Sequence, residues 1–164
     1  MLLAFLAWAG IRQFQDDEFY HIFSGLTLGV HELGHLLFLP FGEVATVAGG
    51  SITQVAAPLI AGWLLYRQPD YFGVTVAGAW LASSLVNLSI YVADARALEL
   101  PLVSIGGGDV EHDWNFLLDH FNILQYDLRI AGWIRLAAGV LLAASLLAGG
   151  WLCWQMHPRS EAPA

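Results

Sequence analysis

Apolar residues run along this chain in long stretches broken by short polar interruptions. A helix needs about 20 apolar residues to cross a bilayer. Four stretches qualify, at about 19–41, 46–66, 71–93 and 130–154. Asp16, Asp17 and Glu18 precede the first, where negative charge suits a helix N-terminus, and Pro40 and Gly42 mark its end. Pro58 lies inside the second and predicts a kink. The third carries Gly73, Gly78, Ala79, Ser83 and Ser84, small residues that let spanning helices approach closely. Arg135 sits near the start of the fourth, placed to snorkel, and Trp151 and Trp154 fit an aromatic belt at its far end. Met1–Gly10 is apolar but short, reads as a short anchor or the remnant of a span, and lacks the basic start of a signal peptide. The pattern predicts an all-α, polytopic membrane protein: one membrane domain over 1–164, with about four transmembrane helices and a polar, partly helical segment at 94–129. The tail at 157–164 is expected to be disordered.

Counting crossings adds a constraint. If each segment crosses once, the end of the first span and the polar segment 94–129 lie on the same face of the membrane. That segment holds Asp94, Glu99, Asp109, Glu111, His112, Asp113, Asp119, His120 and Asp127, with Gly106-Gly107-Gly108 inside it. The run from His112 to Leu118 reads as the start of a short amphipathic helix.

Composition sharpens the class. Of 164 residues, 57% are hydrophobic and only 12% charged, against about 25% charged in soluble domains. A soluble domain of this size cannot be covered by so few charges, and a chain this apolar is not disordered. The net charge is −8, with no lysine and six scattered arginines, which argues against a nucleic-acid partner. Cys153 is the only cysteine, so no disulfide framework is available. The partner implied throughout is the lipid bilayer.

The candidate chemistry lies in the first span, as His31-Glu32-Leu33-Gly34-His35. Residues four apart lie one above the other on a helix, so both imidazoles can reach one ion. Glu32, offset by about 100° on the helix wheel, can stand beside the metal without binding it and take a proton from a metal-bound water. Charged residues at membrane depth cost about 2.5 kcal/mol or more on insertion scales, so this grouping calls for compensation, and a divalent cation supplies it. Zn2+ suits imidazole and carboxylate ligands, and its catalytic sites use three protein ligands plus water. Three residues compete to be the third ligand. His112 and Asp113 form a pair on the same-face polar segment, and Asp94 ends the third span. His112-Asp113 can also be read as ligand plus orienting partner, or as a helix cap made by Asp113. His21 lies ten residues before His31, about 15 Å along a helix, too far to share the ion.

The HExxH motif inside an apolar helix resembles the site-2 protease family of intramembrane zinc metalloproteases. The glycine before the second histidine is part of the likeness. Gly49-Gly50-Ser51 followed by Ala56-Ala57-Pro58-Leu59 is similar to that family's small-residue, proline-bearing core helix. The likeness covers about Gly25–Asp94. It implies a third ligand within an Asn…Leu-Asp-Gly pattern, of which Asn87…Val92-Ala93-Asp94-Ala95 is the nearest match, without its prolines and its last glycine. It also implies a substrate-holding asparagine, with Asn87 and Gln54 as candidates, a membrane-protein substrate, Glu32 as catalytic base, and residence in a membrane such as the bacterial inner (cell) membrane. The competing expectation is a non-proteolytic metal-binding integral membrane protein: a sensor, carrier or assembly factor.

Overall fold

In the computed structural model of the chain, the residues described are 1–101 and 112–156. Gly106-Gly107-Gly108, Asp109, Glu111 and the tail at 157–164 lie outside them. Six α-helices follow one another: α1 Leu2–Gln15, α2 Ile22–Phe38, α3 Glu43–Arg67, α4 Tyr71–Ala93, α5 Asp113–His120 and α6 Asp127–Met156. There is no strand among the described residues. The fold is all-α and polytopic, with four helical segments long and apolar enough to span a membrane: Ile22–Phe41, Glu43–Arg67, Tyr71–Ala93 and Leu124–Met156.

Local chemistry sets the helix ends. α2 starts at Ile22 because the His21 backbone is extended (φ −141°) and its Nδ1 accepts from the Phe23 N–H. Ser24 Oγ accepts from the His21 N–H in return, which closes a capping box. The helix therefore begins later than residue 19. After a 3-10 turn over Leu39–Phe41, Gly42 takes φ +94°, a conformation that favours glycine, and α3 starts at once with Glu43 in its first turn. Pro58 is buried inside α3, and the helix continues through it. Asp70 caps α4 by accepting from the Gly73 N–H at 2.8 Å. α6 is entered through a 3-10 turn, Leu124–Tyr126, so it begins at Asp127 rather than 130.

α4 is the hub. It packs against α1, α2, α3, α5 and α6. Half of its spanning window is buried, against 22–28% for the other three. Its buried positions are mostly alanine, serine and threonine, which explains how so many helices reach it. Arg135 does more than snorkel: it donates to the Phe14 carbonyl (3.0 Å) and to Asp17 Oδ1 (2.9 Å), tying α6 to the end of α1.

Candidate metal centre

Two glycines bring α2 and α3 together at the motif. A Cβ on Gly34 would run into the Gly49 carbonyl, and one on Gly49 would meet the Gly34 carbonyl at 2.7 Å. The backbones touch here, so the next turn of α3 lies directly under the histidines. A Cβ on Gly50 would stand 2.6 Å from both His31 Nε2 and His35 Nε2. Gly50 thus leaves a cradle that any side chain would fill.

The third member of the group comes from α5. Trp114 Nε1 donates to Ser51 Oγ on α3 (3.1 Å), and Asn115 Nδ2 donates to the Ala95 carbonyl just beyond α4 (2.7 Å). Leu118 enters a cluster with Leu88, Val92, Ala95 and Ala131. So anchored, α5 places the Asp113 carboxylate between the imidazoles. Asp113 Oδ2 lies 3.0 Å from His31 Nε2 and 3.3 Å from His35 Nε2. Ligand atoms of His31, His35 and Asp113 all fall within 4.8 Å of one another. Two ligands bound tetrahedrally to one zinc lie about 3.3 Å apart, from bond lengths near 2.0–2.1 Å.

The far nitrogens of the rings decide where their protons sit. Gln54 Nε2 donates to the Ser84 carbonyl (3.1 Å), which orients the amide and turns Oε1 toward His31 Nδ1 (2.7 Å). His35 Nδ1 faces the Thr46 carbonyl (2.9 Å). Both partners only accept, so both Nδ1 atoms carry hydrogen. A neutral ring so placed turns its Nε2 lone pair toward Asp113, and a protonated one donates from Nε2 to Oδ2. The three facing atoms call for positive charge between them, which a proton, as in a His31 Nε2–H···Oδ2 hydrogen bond at 3.0 Å, or a metal ion supplies. The donor set, the spacing and the Gly50 cradle fit a divalent metal.

The other candidates stand elsewhere. His112, proposed as a ligand, is the N-cap of α5: its Nδ1 accepts from the Asn115 N–H at 3.2 Å. The cap is therefore not Asp113, whose carboxylate is free to reach the histidines. His112 Nε2 lies 3.3 Å from Asp94 Oδ2, too poorly aligned for a hydrogen bond. Burial pushes this imidazole's pKa down. Asp94, the alternative third ligand, accepts from the backbone N–H groups of Glu99 and Leu100 at 2.9 and 3.1 Å. At the C-cap of α4 it is used to turn the chain. Gln54 lines the cavity that adjoins the group, its Nε2 donating to the Ser84 carbonyl and its Oε1 facing His31 Nδ1. Asn87 Oδ1 accepts from Gln13 Nε2 at 2.7 Å. Glu32 is half-buried and has no hydrogen-bond partner among the described residues.

A cavity of about 780 Å3 adjoins the group, lined by Glu32, His31, His35, Asp113, Asn87 and Tyr91 among others, and it extends to Glu18 and Phe19 before α2. Tyr91 was not flagged by the sequence. Its hydroxyl accepts from the Asp113 N–H (3.1 Å), and its ring packs on His112 (4.3 Å between centroids). The available signal was its spacing, one helical turn after Asn87. Comparisons with family models, with curated proteins and with solved structures match none to this chain.

Proposed function

We propose that the protein is an intramembrane zinc metallopeptidase that hydrolyses peptide bonds of membrane-associated proteins, related to the site-2 proteases. The observation that carries this reading is the convergence of His31 Nε2, His35 Nε2 and Asp113 Oδ2, with both Nδ1 atoms tied to oxygen acceptors. His31, His35 and Asp113 hold the metal; His112 and Asp94 do not. Zinc bound there supplies a water of lowered pKa and polarises a carbonyl. Glu32, on the cavity wall and without a partner, accepts the proton of the attacking water at its carboxylate and passes it to the departing amide nitrogen. Gln54 and the Thr46 carbonyl keep the imidazoles in register while charge develops. Tyr91 holds the Asp113 backbone and so steadies the third ligand. A glutamate beside the histidines favours catalysis over simple metal binding, since a binder has no use for a carboxylate that ligates nothing.

The substrate must arrive with its scissile bond out of helical hydrogen bonding, because a helix satisfies its own backbone in lipid. A cavity of about 780 Å3 beside the group accommodates such an extended stretch. The test uses purified, zinc-loaded protein in detergent with casein, a loosely folded substrate. Cleavage by the wild type, loss of cleavage with zinc retained in Glu32→Gln, and loss of both in His31→Ala are expected. Zinc bound without cleavage by the wild type would instead favour the non-proteolytic metal-binding reading.

A further inference from the structure

One polar side chain of α1 is deeply buried: Gln13 is 1% exposed. It belongs to neither the motif nor a span, yet it touches the cavity wall through Asn87. Gln13 Nε2 donates to Asn87 Oδ1 (2.7 Å) and to the Ser83 carbonyl (3.3 Å). Gln13 Oε1 lies 3.1 Å from His21 Nε2, and Ser83 Oγ lies 3.3 Å from that same nitrogen.

The direction of every bond in this set is fixed by backbone groups at its two ends. The Phe23 N–H donates to His21 Nδ1 (3.3 Å), so the hydrogen of the neutral ring is on Nε2. Burial lowers the His21 pKa, which keeps the ring neutral. The Ser83 carbonyl requires a nitrogen at Gln13, which leaves Gln13 Oε1 to accept from His21 Nε2–H, a hydrogen it shares with Ser83 Oγ. Rotating the Gln13 amide by half a turn would place oxygen against oxygen and hydrogen against hydrogen. With the Gln13 NH2 fixed, Asn87 must present its oxygen to Gln13. Its NH2 is left over, has no partner among the described residues, and belongs to a residue that lines the cavity. Asn87 and Tyr91 are one helical turn apart on the same wall, and the Tyr91 hydroxyl meets Asp113.

We infer that Gln13 and His21 are positioning residues that hold the Asn87 amide with its NH2 toward the groove, where it binds a backbone carbonyl oxygen of an extended peptide. The identity of the ligand rests on the peptidase reading; the orientation does not. Two N–H donors facing a low-dielectric groove select an acceptor, and unwinding a substrate helix exposes peptide carbonyls that need donors. α1 thereby gains a role in specificity through one residue of its last turn.

The test separates orientation from ligand. Gln13→Glu keeps the shape but, when ionised, only accepts, so it turns the Asn87 NH2 away from the groove. Asn87 is followed by its side-chain amide signal in 15N-labelled protein, assigned from the signal missing in Asn87→Ala. The expected result is a shifted Asn87 signal in Gln13→Glu, with zinc retained. On the uncleaving Glu32→Gln background, a dansylated peptide of alternating leucine and alanine is then titrated. Gln13→Leu and Asn87→Ala should each weaken it about tenfold, the loss of roughly one hydrogen bond. The Gln13→Leu/Asn87→Ala double variant should bind no more weakly than Asn87→Ala alone. An unmoved Asn87 signal, losses that multiply in the double variant, or zinc loss in Gln13→Leu would each overturn the positioning role. A moved signal with no peptide bound by the Glu32→Gln parent would uphold the orientation and overturn the carbonyl as ligand, and with it the peptide groove.

Discussion

His112 and Asp113 are neighbours in sequence, yet they enter histidine–aspartate pairings of opposite kind. Asp113 faces two imidazoles whose Nδ1 hydrogens are spent on Gln54 and Thr46, so only their Nε2 atoms are left to meet it, as donors when protonated and as metal ligands when not. His112 faces Asp94 with the reverse tautomer: its Nδ1 accepts from the Asn115 N–H, so Nε2 carries the hydrogen and points at the carboxylate. The first arrangement calls for a proton or a metal ion between its facing atoms. The second has its proton on Nε2 and no hydrogen bond to the carboxylate, and the ring serves as the cap of α5. The same residue types give a group that could hold a metal or a structural cap according to what the far ring nitrogen touches.

The comparison can be broken most severely at the metal group. His31→Ala or His35→Ala should lower zinc affinity beyond the roughly 100-fold that outer partners typically command, read by competition with a chromogenic chelator. Gly50→Ala comes next. Its Cβ would meet both Nε2 atoms at 2.6 Å, so the rings must part, and zinc loss should exceed that of any outer-partner variant while the helix content holds. Gln54→Leu tests the tautomer argument itself: removing the acceptor for His31 Nδ1 should cost about 10–100-fold in zinc affinity. The smallest effect belongs to the cap of α5. His112→Ala removes the α5 N-cap and should cost about 1 kcal/mol of stability, seen as a lowered melting midpoint, with zinc stoichiometry unchanged. Zinc loss in His112→Ala as large as in Gln54→Leu would erase the distinction between the two pairings.

The four apolar helices are legible because bilayer thickness imposes a length and a composition that few other structures share. Their ends are less so. The acidic run Asp16–Glu18 suggests an early start for α2, but the cap is His21, whose imidazole nitrogen does what a serine or aspartate oxygen more often does. The convergence of His31 with His35 is legible from their spacing on one helix. The meeting of Asp113 with them is legible only as one option among three, because it depends on Trp114 and Asn115 docking α5 across α3 and α4. Asp94 has the position suggested by the family likeness, but backbone N–H groups claim its carboxylate, and no spacing rule reports that. Gln13 and Tyr91 went unmarked for a related reason. Each acts through a partner distant in sequence, and a single polar residue in an apolar run shows that compensation exists without showing where.

The proposed site holds one divalent cation between His31, His35 and Asp113. X-ray absorption at the zinc edge, with metal content per chain, tests it most directly. The account predicts one zinc per wild-type chain, a first shell of two imidazole nitrogens at about 2.0–2.1 Å plus oxygen, and loss of that signal in Asp113→Ala but not in Asp94→Ala. A wild-type protein that stays metal-free in excess zinc, or a zinc shell untouched by Asp113→Ala, would contradict it.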